Sequence, residues 1–149
     1  MTPSKKAVDL IKLFEGFSSK SYLCPASVWT IGYGSTMWND GKKVKSGETI
    51  TLQGAENLLL WELQQKSFVL KGLELNQNQV DAVISFVYNV GASAFGKSTL
   101  KKKMKVNPND PTIKDEFMKW NKARVGGKMT ELKGLTRRRQ AESNLYYED

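Results

Sequence analysis

The stretch Glu15-Gly-Phe-Ser-Ser-Lys-Ser-Tyr-Leu-Cys24-Pro-Ala-Ser-Val-Trp-Thr30-Ile-Gly-Tyr-Gly34 divides the chain into two kinds of pattern. Upstream of it, Ala7, Leu10, Ile11 and Phe14 recur at helical spacing behind Ser4, a good N-cap. This predicts a helix over residues 5–15, stopped by Gly16. Inside the stretch and just beyond it, Tyr22, Val28, Trp29, Ile31 and Tyr33 alternate with Pro25, Gly32, Gly34 and Gly41. That pattern predicts short strands and turns over about residues 16–50. Asn39-Asp40-Gly41 is a hairpin turn signal, and a further strand is expected over 44–50.

From Thr51 onward the pattern is helical. Thr51 and Asn76 read as caps, the second of a segment in which Val80, Val83, Ile84, Val87 and Tyr88 share a face. Phe95 and Leu100 are expected to close the core, and Lys101 to Lys105 to form a solvated helix end. A short helix is expected from Thr112 to Trp120, a loop at Gly126-Gly127, and a last helix capped by Thr136. Arg137, Arg138 and Arg139 read as its solvated face. The fold class is therefore α+β. A β-rich lobe (about 16–50) and a larger helical part (1–15 and 51–149) form one domain over 1–149, with a cleft between the lobes as the place for a long substrate.

The 149 residues include no histidine and one cysteine, Cys24. Triads that need imidazole, His-ligated metals, Cys-cluster zinc and internal disulfides are thereby excluded. No G-x-x-x-x-G-K-[ST] loop is present. The net charge of +8 is uneven: residues 1–50 carry +3, 51–100 carry −1, and 101–149 carry +6. A basic final third predicts an anionic partner, whether nucleic acid, acidic lipid or acidic wall polymer, and charge alone does not choose among them. No apolar run is long enough for a signal peptide or a membrane span, so a cytoplasmic protein is expected.

Glu15 is the first candidate for chemistry. It stands at the predicted end of the first helix, between Phe14 and Gly16-Phe17. The negative end of the helix dipole and the phenylalanines disfavour its ionisation, as suits a general acid. A solvated helix-end glutamate is the plainer alternative. Taken singly, Cys24 reads as a small buried hydrophobe and Thr30 as a β-former.

Together the spacing says more. E-x8-C-x5-T followed by Ile31-Gly-Tyr-Gly34 resembles the phage lysozymes of glycoside hydrolase family 24, the lambdoid-phage type of endolysin. Gln79-Val-Asp-Ala-Val-Ile-Ser-Phe86 with Tyr88-Asn-Val-Gly91 resembles the family's Q-x-x-A-L-x-S-F-x-x-N-x-G block. Phe95-Gly-Lys-Ser-Thr-Leu100 resembles its F-x-x-S-T-L, and Trp120-Asn-Lys-Ala123 its W-N-x-A. Gly134-Leu-Thr-Arg-Arg-Arg139 with Glu142 resembles G-L-x-x-R-R-x-x-E. The motifs run in order from about Leu10 to Tyr146.

The resemblance implies a lysozyme-like fold and a muramidase acting on bacterial peptidoglycan, with no cofactor and no metal. It implies Glu15 as general acid, with Cys24 and Thr30 acting on the water. Many relatives have Asp at the position of Cys24, which leaves two mechanisms open. One is water activation with inversion; the other is attack by a Cys24 thiolate with retention. Gly34, Tyr88 and Ser98 are candidates for lining the sugar groove, or else are turn, core and N-cap. Ser35 stands where many relatives have His. A monomer is expected, without a membrane anchor, held in the host cytoplasm until a holin gives it access to the wall. The rival readings are a basic nucleic-acid-binding protein and an inactive module that binds peptidoglycan.

Overall fold

The computed structural model describes residues 1–149 and joins seven α-helices to two small antiparallel sheets. The first helix, α1 (Lys5–Lys12), begins where the Ser4 hydroxyl accepts from the Lys6 amide, and it buries Ala7, Val8, Leu10 and Ile11. It stops three residues earlier than expected, although the Glu15 amide still donates to the Ile11 carbonyl at 2.9 Å. That last bond carries the turn far enough to bring Glu15 round to the start of β1.

β1 (Ser18–Leu23) pairs with β2 (Trp29–Gly32) in a hairpin that sets Tyr22 opposite Thr30 and Leu23 opposite Trp29. The expected strand over 44–50 does not form. Its backbone meets β1 in one isolated bridge, Lys20 with Thr49, where the Ser21 amide donates to the Glu48 carbonyl and the Ile50 amide to the Ser19 carbonyl, both at 2.9 Å. Side chains hold the residues before it: Glu48 accepts from the Trp38 indole at 3.0 Å and from the Lys45 amide at 2.6 Å. The turn at Asn39-Asp40-Gly41 is present, with Gly41 at φ +86°.

α2 (Leu52–Gln65) starts at Thr51, whose hydroxyl accepts from the Gly54 amide, and leads through a 3-10 turn to α3 (Gln77–Val90). A capping box between Asn76 and Gln79 fixes the start of α3. Every residue of α3 from Gln79 to Val87 is buried, so it is the axis around which the other helices pack. α4 (Ala92–Lys97), α5 (Thr99–Val106) and α6 (Ile113–Met118) close one side, and α7 (Lys133–Tyr146) lies along α3. Phe86 is the hub, with edge-to-face contacts to Phe117 at 5.6 Å, Trp120 at 5.5 Å and Phe95 at 6.1 Å. No helix is long and apolar enough to cross a membrane.

Two expectations about secondary structure in the C-terminal third need correction. The Gly126-Gly127 loop is the turn of a second hairpin, β3 (Lys122–Val125) with β4 (Lys128–Glu131). Thr136 does not cap α7, which begins after Leu132; the Thr136 hydroxyl instead accepts from the Asn121 side chain at 3.1 Å.

α1 is fastened to α3 through Asp81, a fully buried carboxylate. It accepts from the Ser4 amide at 2.7 Å and from the Ser4 hydroxyl at 2.6 Å. Because α1 leads straight to Glu15, this clamp is part of the site's frame. Asp81→Ala strands both donors, and an expected loss of roughly 3 kcal/mol in denaturant unfolding checks the clamp.

Candidate active site

Glu15 is half-buried, and its two oxygens have different surroundings. Oε1 accepts from Arg138 Nη1 at 2.9 Å. Oε2 accepts no hydrogen bond from the protein and faces Gly34, where a Cβ would lie 3.8 Å from it. The helix end and the phenylalanines are thus not the whole surroundings of Glu15: the Arg138 guanidinium lies over the Phe14 ring at 5.7 Å.

Arg138 belongs to a buried charge cluster. Its Nε donates to Glu142 Oε2 at 3.3 Å and its Nη2 to the Ser85 carbonyl at 3.3 Å. Glu142 Oε2 also accepts from the Ser85 hydroxyl at 2.7 Å, while Arg139 Nε lies 2.7 Å from Glu142 Oε1. Arg139 continues to the Asn89 side chain at 2.8 Å and the Trp120 carbonyl at 3.3 Å. Burial pushes the Glu142 carboxyl up and the Arg139 guanidinium down from their ordinary values, and their mutual attraction opposes both shifts. Reading Arg138 and Arg139 as a solvated face is therefore wrong, since both are buried and only Arg137 is exposed. The i, i+3 and i, i+4 spacing to Glu142 was the available signal, because it places both arginines beside one carboxylate.

Gly34 sits in the turn after β2 at φ +97°, and an added Cβ would come within 3.1 Å of the Tyr88 hydroxyl. That hydroxyl donates to the Tyr33 carbonyl at 2.8 Å, tying α3 to the β-rich lobe beside Glu15. Burial and the carboxylates of Glu62 and Glu15 push the Tyr88 hydroxyl up, so it stays a donor throughout the working pH range. Ser98 is buried elsewhere: its hydroxyl donates to the Phe95 carbonyl at 2.7 Å and accepts from the Lys101 amide at 3.0 Å. The second bond caps α5, and the first ties the hydroxyl back to the last turn of α4.

Cys24 and Thr30 lie on the β1–β2 hairpin. A turn closes on Cys24, with the Ser27 amide donating to its carbonyl at 2.8 Å and its own amide donating to Val28 at 3.0 Å. Ser27 takes φ +61° to make this turn. The half-buried thiol is held below its ordinary value by the Val28 amide, then the Ala26 amide, with a smaller contribution from the Thr30 hydroxyl. Partial burial opposes them. Thr30 itself is buried, and its hydroxyl donates to the Val28 carbonyl at 3.0 Å. No three Cys, Asp or Glu side chains converge where a metal ion could sit.

The Phage lysozyme family matches residues 12–142, which includes all of these side chains. The chain belongs to the phage lysozyme family. An endolysin of Acyrthosiphon pisum secondary endosymbiont phage 1 is 43% identical over 146 residues, covering 96% of each chain. An endolysin from Escherichia coli O157:H7 phage FAHEc1 superposes with a TM-score of 0.86 at 35% identity, covering 99% of this chain and 94% of that one. The muramidase domain of SpmX from Asticaccaulis excentricus gives a TM-score of 0.85 at 30% identity, covering 98% and 97%. As a phage lysozyme, the chain is a glycosidase or peptidoglycan hydrolase of cell-wall lysis.

Ser35, buried to 1% exposure, donates its hydroxyl to Glu62 on α2. This phage lysozyme thus faces a largely buried carboxylate with a neutral donor, and burial pushes Glu62 up from its ordinary value. A raised folded-state value means the stability of the protonated form is complete below about pH 4.3. It is lost as pH rises through the folded-state value. Glu62→Gln should therefore raise Tm at pH 8 and leave it little changed near pH 4, as read by thermal unfolding across pH. Tyr88→Phe strands the Tyr33 carbonyl; an expected loss of about 1–2 kcal/mol in denaturant unfolding checks this inter-lobe bond.

Proposed function

We propose that this lysozyme is a muramidase, hydrolysing the β-1,4 bond between N-acetylmuramic acid and N-acetylglucosamine in peptidoglycan. The observation that carries this reading is the divided carboxyl of Glu15. Arg138 holds one oxygen, while the other faces Gly34 with no partner in the protein. A carboxyl fixed at one oxygen and open at the other is suited to delivering a proton to a leaving glycosidic oxygen. Gly34 beside it leaves room for a sugar ring to approach, and Tyr88 holds that turn in place. The muramidase name carried by a structural neighbour at 30% identity points the same way.

In the proposed reaction, Glu15 protonates the leaving oxygen while Cys24 and Thr30 act on a water at the anomeric carbon. The amides of Val28 and Ala26 favour the thiolate of Cys24, which then takes the proton of the attacking water. The outcome is inversion. The same thiolate supports a second reading, in which sulfur attacks the anomeric carbon and water later displaces it with retention. The groove contacts assigned to Gly34 and Tyr88, a monomeric state, and residence in the host cytoplasm until a holin admits the enzyme to the wall complete the proposal. Ser98, expected as a third contact, is left out because its hydroxyl is buried in two internal hydrogen bonds.

Turbidity clearing of outer-membrane-permeabilised Gram-negative cells tests it. Glu15→Gln should lower the rate by roughly 10²–10⁴-fold, and equal clearing by wild type and variant removes Glu15 as the acid. Cys24→Asp should retain activity that Cys24→Ala loses. NMR of the first-formed product separates the two mechanisms: an α anomer fits inversion, and a β anomer requires retention.

A further inference from the structure

The hairpin of β3 and β4 exposes an apolar side chain on each of its two faces. Its register pairs Val125 with Lys128 and Arg124 with Met129, and Gly126 and Gly127 make a two-residue turn at φ +57° and +84°. Opposed residues share a face, so Val125 and Lys128 point one way and Arg124 and Met129 the other. Every residue from Arg124 to Met129 is exposed, including Val125 at 52% and Met129 at 59%. The ribbon is anchored at its base, where the Leu132 amide donates to the Asn121 carbonyl at 2.9 Å and the Asn121 side chain donates to Thr136.

The charge of the hairpin is mainly positive. Arg124 and Lys128 flank the turn, and Lys122, Lys133 and Arg137 stand near the base. All five are exposed and form no ion pair, although Glu131 lies opposite Lys122 and Glu116, paired with Lys103 and Lys119, lies close to Lys122. We infer that the β3–β4 hairpin is a membrane-docking element, which inserts its Val125/Met129 tip among the headgroups of an anionic phospholipid bilayer while the five cations meet lipid phosphates. Five like charges oppose a second copy of the same surface. A polymeric anion would satisfy the cations but would cover one face of the ribbon, leaving either Val125 or Met129 in water. The headgroup layer of a bilayer surrounds an inserted ribbon, so it covers both. The two glycines of the turn add no side chain of their own, and the Arg124 guanidinium donates to the Gly127 carbonyl at 3.1 Å, which places a cation at the leading edge.

Binding of the full chain to large unilamellar vesicles at low and moderate salt tests the inference. Vesicles containing phosphatidylglycerol should bind the protein, and pure phosphatidylcholine vesicles should bind it at least tenfold more weakly, on the order of a few cations' worth of attraction. Arg124→Gln with Lys128→Gln should weaken binding about twentyfold, taking roughly fivefold per cation, and flatten its salt dependence. Val125→Asn with Met129→Gln should weaken binding about tenfold through lost apolar burial while keeping the salt dependence. Both double variants should keep the wild-type Tm and the wild-type rate on soluble wall fragments, so the result reads docking and not folding. Absence of wild-type binding to anionic vesicles overturns the inference. So does undiminished binding by the Val125/Met129 variant, especially alongside equal binding of both proteins to soluble polyphosphate, which would make the hairpin a polyanion site.

Discussion

Glu142 is a carboxylate with no solvent exposure, and two arginines on its own helix turn toward it. Removing three charges from water is costly unless each finds partners, and here the partners come from the rest of the protein. Ser85 on α3, Asn89 near its end, the carbonyl of Trp120 and Glu15 beyond α1 all bond to the cluster. α7 can therefore lie on α3 in one register and rotation, and in that position Arg138 reaches Glu15. The packing of the helical part and the orientation of the proposed acid are consequences of one charge-pairing constraint.

The β-rich lobe meets this framework through fewer, more local contacts. Tyr88 holds the Tyr33 carbonyl and Ser35 holds Glu62, while Lys12, paired with Glu56 on α2, lies over the Tyr33 ring at 5.8 Å. These bonds surround the glycine turn that faces Glu15. They also explain how so small a sheet keeps a defined place: two strands give little stability in water, and side-chain bonds to helices supply the remainder. Trp38 and Lys45 do similar work on Glu48 where regular pairing is absent.

Much of the fold was legible in order along the chain. Ser4, Thr51 and Asn76 cap helices as their residue types suggest, and the apolar face of α3 is buried as its spacing predicts. Capping and periodicity are local, so a few neighbouring residues determine them. The strand expected over 44–50 is reduced to a single bridge of Thr49 with Lys20 on β1, and side-chain bonds to Glu48 hold the residues before it. Thr136 looked like a cap in isolation, but Leu132 starts the helix and Asn121 claims the Thr136 hydroxyl. In the second hairpin, Gly126-Gly127 marked the turn, but the flanking residues lack the β-branched, alternating pattern that would identify strands.

By itself, the sequence determined the family, the order of elements and the residues around which a site could be built, because these rest on residue types at fixed spacing. Only the tertiary structure decided what each charge does. Arg137, Arg138 and Arg139 are identical as letters, yet one is in water and two are buried. The difference is the position of Glu142, Ser85 and Glu15 in space. Glu15 likewise could be read as an acid at a helix end, but which of its oxygens is held and which is open depends on a guanidinium 123 residues away. Electrostatic partnership acts through distance and burial, and neither quantity exists until the chain has folded.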